Sequence, residues 1–293
     1  ASIPAMFQDL DDRLVINDAV FDWNDLPKRI AVFGPGVIGL EIGQALARLG
    51  VIVRVFGMSG SLAGISDPEV RQAAKNIFQQ EFYLDPDARV LETKRVGNEV
   101  AIRYVALDQT ERTEMFDYAL VATGRRPNLD SLGLEHAGIV IKKNSVPDFN
   151  RQTMQVGDTS VFIAGDVNAD HPFLHEAVDE GKIAGKNAAH YPELATFERR
   201  ASLAIVFSDP QIALVGDPLS KLKCGSFVTG KVDFSDQGRA RVMLKNKGVL
   251  HVYVQYKTRL FLGAEMIGPR AEHIGHLLAW ALQQGLTVDQ MLE

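Results

Sequence analysis

Three glycines, Gly34, Gly36 and Gly39, followed by Glu41, carry the first chemical signal in the chain. An apolar run, Ile30 to Phe33, stops at Gly34, and a helical apolar pattern of Leu40, Ile42, Ala45, Leu46 and Leu49 begins just past Gly39. The spacing predicts a strand, a tight turn and a helix. In such a unit the first glycine permits the turn, the second lets a phosphate approach the backbone, and the third lets the helix pack close to the strand. The free N–H groups around Val37 and Ile38, at the positive end of the helix dipole, then face an anion. The ligand this predicts is a dinucleotide held by its pyrophosphate, and Val51 to Phe56 supplies the second buried strand that such a site requires. Gly39→Val is accordingly expected to abolish binding while leaving the fold.

Other residues qualify or extend that chemistry. An acidic residue about 20 positions beyond the glycines holds the ribose 2′-hydroxyl of NAD in this type of site. Gly57 stands there instead. Arg54, Ser59 and Ser61 would suit the 2′-phosphate of NADP, while a mid-strand Arg54 pointing elsewhere is an equal expectation. A second apolar run, Ser160 to Val167, ends in Gly165-Asp166, which places a carboxylate where an α/β sheet binds ligands, with a helix or loop cap as the alternative. His273 and His276, three apart on a predicted helix, lack the further ligands a metal needs, and solvent or subunit contact is the expectation for both. The single cysteine, Cys224, excludes an internal disulfide and a redox cysteine pair within these residues.

The elements that must position these groups follow from periodicity. With 293 residues, 46% of them hydrophobic, the chain is long and apolar enough for about two domains, and its net charge of −6 makes nucleic acid an unsuitable partner. No apolar run reaches the ~20 residues that span a bilayer, and the first residues lack a basic region before an apolar stretch, so a cytoplasmic location with no membrane partner is expected. Residues 1–28 read as a lead-in strap. Asp67, followed by Pro68 and Glu69, caps a helix running toward Phe82. Ala88 to Arg95, Glu99 to Leu107 and Glu111 to Phe116 read as a half-exposed antiparallel meander, and Tyr118 to Ala122 as a closing strand that enters Gly124. Leu129, Leu132, Leu134, Ile139, Val140 and Ile141 are expected to anchor a turn-rich segment, and Leu174 to Ala189 reads as a helix. A boundary near Glu193 to Arg199 then separates an α+β domain, with strands in Ser202 to Gly216, Cys224 to Val232, Ala240 to Lys245, Val249 to Gln255 and Arg259 to Ile267, and a helix from Arg270 to Gln284.

Five motifs in order, Gly34-x-Gly36-x-x-Gly39-x-Glu41, Ala122-Thr123-Gly124-Arg125-x-Pro127-Asn128, Ala164-Gly165-Asp166, His175-x-Ala177 with Glu180-Gly181, and Asp209-Pro210-x-Ile212-Ala213-x-Val215-Gly216, resemble the class I pyridine nucleotide-disulfide oxidoreductases. Within that family the resemblance leans to the dihydrolipoamide dehydrogenases, with glutathione reductases and soluble transhydrogenases as sisters. It implies an α/β chain: a lead-in segment of an FAD domain over 1–25, a Rossmann-type NAD(P)-binding domain over 26–148, the central part of a second, FAD-binding Rossmann domain over 149–196, and an α+β dimerisation domain over 197–293. By the same resemblance Gly34, Gly36, Val37, Ile38, Gly39 and Gly124 contribute to the nucleotide site, and Glu41 lies where nicotinamide meets flavin. Asp166 binds the FAD ribityl chain, and N–H groups around His175 and Ala177 face the flavin ring.

The implied activity is electron transfer between NAD(P)(H) and a disulfide or dithiol, with a lipoyl group as substrate, NAD preferred to NADP, FAD as cofactor, a homodimer as the working form and redox homeostasis as the setting. The family's redox cysteine pair and histidine–glutamate acid–base pair have no counterpart in these residues, so the chain reads as an internal fragment without catalytic residues. A transhydrogenase-like flavoenzyme and a non-catalytic dinucleotide-binding module are the alternatives.

Overall fold

A computed structural model describes residues 1–141 and 145–293. Its tertiary contacts divide the chain into one unit of residues 1–124 with 201–293 and another of residues 125–200. The divisions fall at Gly124 and Arg200.

The first unit opens with a 3-10 segment, Ala5–Arg13, and a two-residue strand β1 (Leu14–Val15). There follow β2 (Arg29–Phe33), α1 (Val37–Arg48), β3 (Ile52–Phe56), α2 (Pro68–Phe78) and β4 (Tyr83–Asp85). An antiparallel meander of β5 (Arg89–Val96), β6 (Glu99–Val105) and β7 (Glu111–Phe116) then leads to β8 (Tyr118–Val121). The parallel sheet runs β1-β8-β2-β3-β4. After β2 the chain builds outward to β3 and β4, and it returns to add β8 on the other side. The order therefore reverses at the carboxyl end of β2, where an open α/β sheet binds its ligand.

Four of the five residues of β2 are buried, as a strand covered on both faces requires. The meander buries Val100, Ile102 and Tyr104 and turns the alternate residues outward. Residues 1–28 are more than a strap. Phe7 and Leu10 are fully buried in the core with Phe33, Phe56 and Tyr104, and β1 extends the sheet beside β8. Their three-residue spacing fits a 3-10 turn and escapes a search at helical period. Asp67 caps α2 as expected, its Oδ1 accepting the N–H groups of Glu69 at 2.9 Å and Val70 at 3.2 Å.

In the second unit the principal element is α3 (Leu174–His190), with 3-10 turns at Leu134–Ala137 and Gly165–Asn168. Leu129, Ile139, Val156 and Ile163 form its small core, with Leu134 and Ile141 packed against it. Leu132 and Val140 are exposed and anchor nothing. The strand expected over 160–167 is reduced to one bridge, Gln155 to Phe162, because no longer segment lies alongside it among the described residues.

The remainder of the first unit is an antiparallel sheet of β9 (Leu203–Val206), β10 (Gln211–Gly216), β11 (Phe227–Asp233), β12 (Val249–Gln255) and β13 (Phe261–Gly268), ordered β11-β12-β13-β10-β9. The strand expected over Ala240 to Lys245 is instead the end of a short helix, α4 (Gly238–Val242). The Gln237 side chain accepts the Ala240 N–H at 2.6 Å and starts that helix, and Val242 and Leu244, whose alternation suggested a strand, are exposed. The expected C-terminal helix is α5 (Ala271–Gln283), and α6 (Val288–Leu292) follows with a Thr287/Gln290 capping box.

Candidate functional site

The three glycines between β2 and α1 do three different things. Gly34 has φ +103°, and a Cβ there would lie 2.4 Å from the Ala122 carbonyl oxygen, so the turn admits no side chain. A Cβ on Gly39 would lie 1.9 Å from the Gly34 carbonyl oxygen, so this glycine seats α1 against the turn. The expectation that Gly39→Val spares the fold is therefore overturned: α1 must move away. Gly36 alone faces open space, with nothing within 4 Å of its Cβ direction. It is the N-cap of α1 without a side-chain cap, and Leu40 N–H is the first to bond back, to the Gly36 carbonyl at 3.0 Å. The N–H groups of Val37, Ile38 and Gly39 thus lack helical acceptors at the positive end of the dipole. A helix N-terminus of this kind can receive an anion.

Glu41 sits in the first turns of α1, and its Oε1 accepts the backbone N–H of Phe207 at 2.8 Å, which ties α1 to the end of β9. Gly124, with φ +105°, ends the stretch after β8, and its carbonyl accepts the Ser2 N–H at 2.9 Å. The missing carboxylate at Gly57 has a steric cause: a Cβ there would lie 2.2 Å from the Pro86 carbonyl oxygen and 2.8 Å from Pro35 Cγ. No side chain fits. Arg54 is engaged elsewhere, 3.3 Å from Glu114 and with its guanidinium 4.9 Å from the Tyr83 ring centroid, as the mid-strand alternative expected. Glu114 also receives Arg29 and the Tyr104 hydroxyl; burial raises its pKa, and these partners outweigh that and hold it below the usual carboxylate value.

In the second unit the expected ligand-facing groups are Asp166, His175 and Ala177. Asp166 lies in the 3-10 turn after Gly165 and is more than half exposed, with Arg125 Nη1 3.9 Å away. Gly165 has φ +77°, and its Cβ would meet the Ala177 Cβ at 3.2 Å, so a small residue at 177 lets this turn approach α3. α3 has no side-chain cap, and Ala177 N–H donates to the Phe173 carbonyl at 2.9 Å. The donors left by the helix are therefore those of Leu174, His175 and Glu176, and Ala177 is a packing residue. His175 is exposed, its ring stacked on Phe173 at 5.8 Å.

Two groups here were not singled out from the sequence for their actual work. Glu180, fully buried, accepts the Gly165 N–H and the Asn168 amide, both at 2.7 Å, and so fixes the Asp166 turn. Arg199 Nη2 neutralises Glu180 at 2.8 Å and Glu176 at 2.6 Å. The signal was available: Glu176 and Glu180 are like charges four apart on one helix face and require a cation.

His273 and His276 are exposed on α5, His276 Nδ1 facing the Glu272 carbonyl at 2.7 Å, and Cys224 is exposed. Among the described residues no group of three or more His, Cys, Asp or Glu converges as a metal site, and no helix is long and apolar enough to cross a membrane.

The chain is similar to known proteins along its whole length. A sequence profile described as pyridine nucleotide-disulphide oxidoreductase matches residues 6–181, and one for the dimerisation domain of those enzymes matches residues 202–293. Dihydrolipoyl dehydrogenase of Geobacillus stearothermophilus is 28% identical over 285 residues, which cover 96% of this chain and 59% of that protein. Mercuric reductase of Staphylococcus aureus is 29% identical over 283 residues, 94% of this chain and 50% of that protein. The chain thus spans between half and six-tenths of the length of these relatives. Among solved structures, LpdA of Mycobacterium tuberculosis matches with a TM-score of 0.83 at 26% identity, over 99% of this chain and 62% of that one. RclA of Escherichia coli, a flavoprotein disulfide reductase, shares the fold with a TM-score of 0.82 at 20% identity, over 98% of this chain and 66% of its own. With the strand–turn–helix at the switch point and both profiles in place, the chain belongs to the pyridine nucleotide-disulphide oxidoreductases.

Proposed function

We propose that this chain is the nicotinamide-binding and subunit-interface part of a cytoplasmic, homodimeric, FAD-dependent oxidoreductase that passes electrons between NAD(P)(H) and a disulfide or dithiol, with the dihydrolipoyl group as substrate. The observation that carries the reading is the open cradle at Gly36: three free N–H groups at a helix N-terminus, on the switch strand of a parallel sheet, with room for a phosphate and none for a side chain at Gly34 or Gly39.

In this reading Val37, Ile38 and Gly39 N–H groups hold the pyrophosphate. Glu41, held by the Phe207 N–H, presents a carboxylate of fixed direction on the nicotinamide side. In the second unit Asp166, positioned by Glu180 through Gly165 and Asn168, accepts ribityl hydroxyls of FAD, and the free N–H groups of Leu174, His175 and Glu176 stabilise negative charge on the ring. The chemistry supplied by the bound groups is hydride exchange at the nicotinamide and electron exchange between flavin and substrate. Residues 202–293, matching the dimerisation profile, form the subunit contact.

The test is the visible spectrum of the purified full-length protein before and after anaerobic addition of NADH. A flavin spectrum that develops a long-wavelength thiolate-to-flavin band supports the disulfide reductase. Bleaching without that band moves the assignment to a transhydrogenase-like flavoenzyme, and a colourless protein to a dinucleotide-binding module.

A further inference from the structure

The steric exclusion at Gly57 leaves the end of β3 without the acidic residue usual in such a site, and the loop after β4 brings another carboxylate, Asp87, beside it. Gly57 N–H donates to the Asp85 carbonyl at 2.7 Å, Ala88 N–H to the Gly57 carbonyl at 2.8 Å and Gly60 N–H to the Pro86 carbonyl at 3.0 Å. These bonds zip the loop after β3 to the loop after β4, with Met58 opposite Asp87 in an antiparallel bridge. Residues directly opposite in such a pair share a side, with Cα atoms about 5 Å apart. Met58 and Asp87 are both exposed, so that shared side is the open one. Asp87 is held in place by its own N–H on Asp85 Oδ1 at 3.2 Å, and no cation pairs with its carboxylate among the described residues.

Topology places this loop pair on the β3–β4 half of the sheet. The sheet order reverses at β2, so a dinucleotide seated at Gly36 extends one nucleoside over β3 and β4, the half whose ribose is read at the end of the strand after the glycine turn. We infer that Asp87 takes over the work of the absent carboxylate: it accepts the adenosine ribose 2′-hydroxyl and thereby selects the dinucleotide without a 2′-phosphate. The inference rests on the proposed dinucleotide site. A 2′-phosphate would meet the Asp87 carboxylate with Arg54 already engaged by Glu114.

The experiment is a nicotinamide fluorescence titration of the purified protein with NADH and, separately, NADPH, for wild type and Asp87→Asn. The expected wild-type result is binding of NADH at least about tenfold tighter than NADPH, with the gap narrowing as salt screens the repulsion. Asp87→Asn is expected to bring the two affinities within about twofold by weakening NADH and strengthening NADPH, since a charged acceptor is lost along with the repulsion. Both nucleotides binding with an unchanged ratio in Asp87→Asn would overturn the role of Asp87 and leave the dinucleotide site standing. A wild-type preference for NADPH would overturn it as well. Failure of the folded wild type to bind either nucleotide would instead sink the site itself.

Discussion

Asp67 and Glu265 in one unit, and Glu176 and Glu180 in the other, are carboxylates removed from water, yet the two clusters are satisfied in opposite ways. Around Asp67 the donors are many and mostly neutral. Its Oδ2 lies 2.6 Å from His251 Nδ1 and accepts the Tyr253 hydroxyl at 3.0 Å, while its Oδ1 caps α2. Glu265 accepts the N–H groups of Ser66 at 2.7 Å and of Asp67 and Leu219, both at 3.0 Å, and the Ser66 hydroxyl. Burial raises the pKa of Asp67, and its bonds from His251, Val70 and Tyr253 outweigh that and leave it below the ordinary value. Burial drives the Tyr253 phenol the other way, far above its usual value, with Glu265 and Asp67 adding to the shift. Among the described residues the only cation bonded to Glu176 or Glu180 is Arg199, which reaches both through one nitrogen while its Nε and Nη1 are buried with no partner among those residues. Burial favours the neutral form of Arg199, and the two carboxylates outweigh it, so the guanidinium stays charged. The first cluster is a redundant clamp joining α2 to β12 and β13. The second is a charge balance that turns on one residue.

That difference predicts an order of effects. Arg199→Met strands two buried carboxylates and should cost about 3–5 kcal/mol, read as a shift in urea unfolding. A loss below about 1 kcal/mol would break the comparison, and restoration by Glu176→Gln with Glu180→Gln would sharpen it. Asp67→Ala should cost less, about 2–3 kcal/mol, from a lost N-cap and partners left to find other bonds. A loss as large as that of Arg199→Met would show that the clamp is not redundant.

The Asp67 clamp also has an acid limit. Because the folded pKa of Asp67 is depressed, its contribution is complete above the unfolded carboxylate value near ~4 and is lost as pH falls through the lower folded value. Urea midpoints between neutrality and that window should fall less steeply in Asp67→Asn than in wild type; parallel profiles would remove Asp67 from the acid limb. Gly36→Ala should have the smallest effect on stability. Its backbone, at φ −80° and ψ −172°, suits any residue and no atom stands in the way, so the cost should stay within about 0.5 kcal/mol. NADH affinity should nonetheless drop by about tenfold where the methyl meets the phosphate, and unchanged affinity would remove the pyrophosphate from Gly36.

The strand–turn–helix at Gly34 to Gly39, the Asp67 cap, the meander and the helix from Ala271 were all legible in advance, because each is set by residues a few positions apart. The 3-10 burial of Phe7 and Leu10 and the helix at Gly238–Val242 were not: one follows an unfamiliar period, and the other shows alternation with no buried face behind it.

Within the site, sequence spacing by itself determined which glycines line the turn and where the helix donors begin, since turn conformation and helix termini depend on near neighbours. Only the tertiary structure decided that Gly57 admits no side chain, that Asp87 stands beside it, that Ala177 packs on Gly165 and that Arg199 balances Glu176 and Glu180. Steric exclusion, desolvation and charge pairing depend on atoms that the fold brings together from distant parts of the chain.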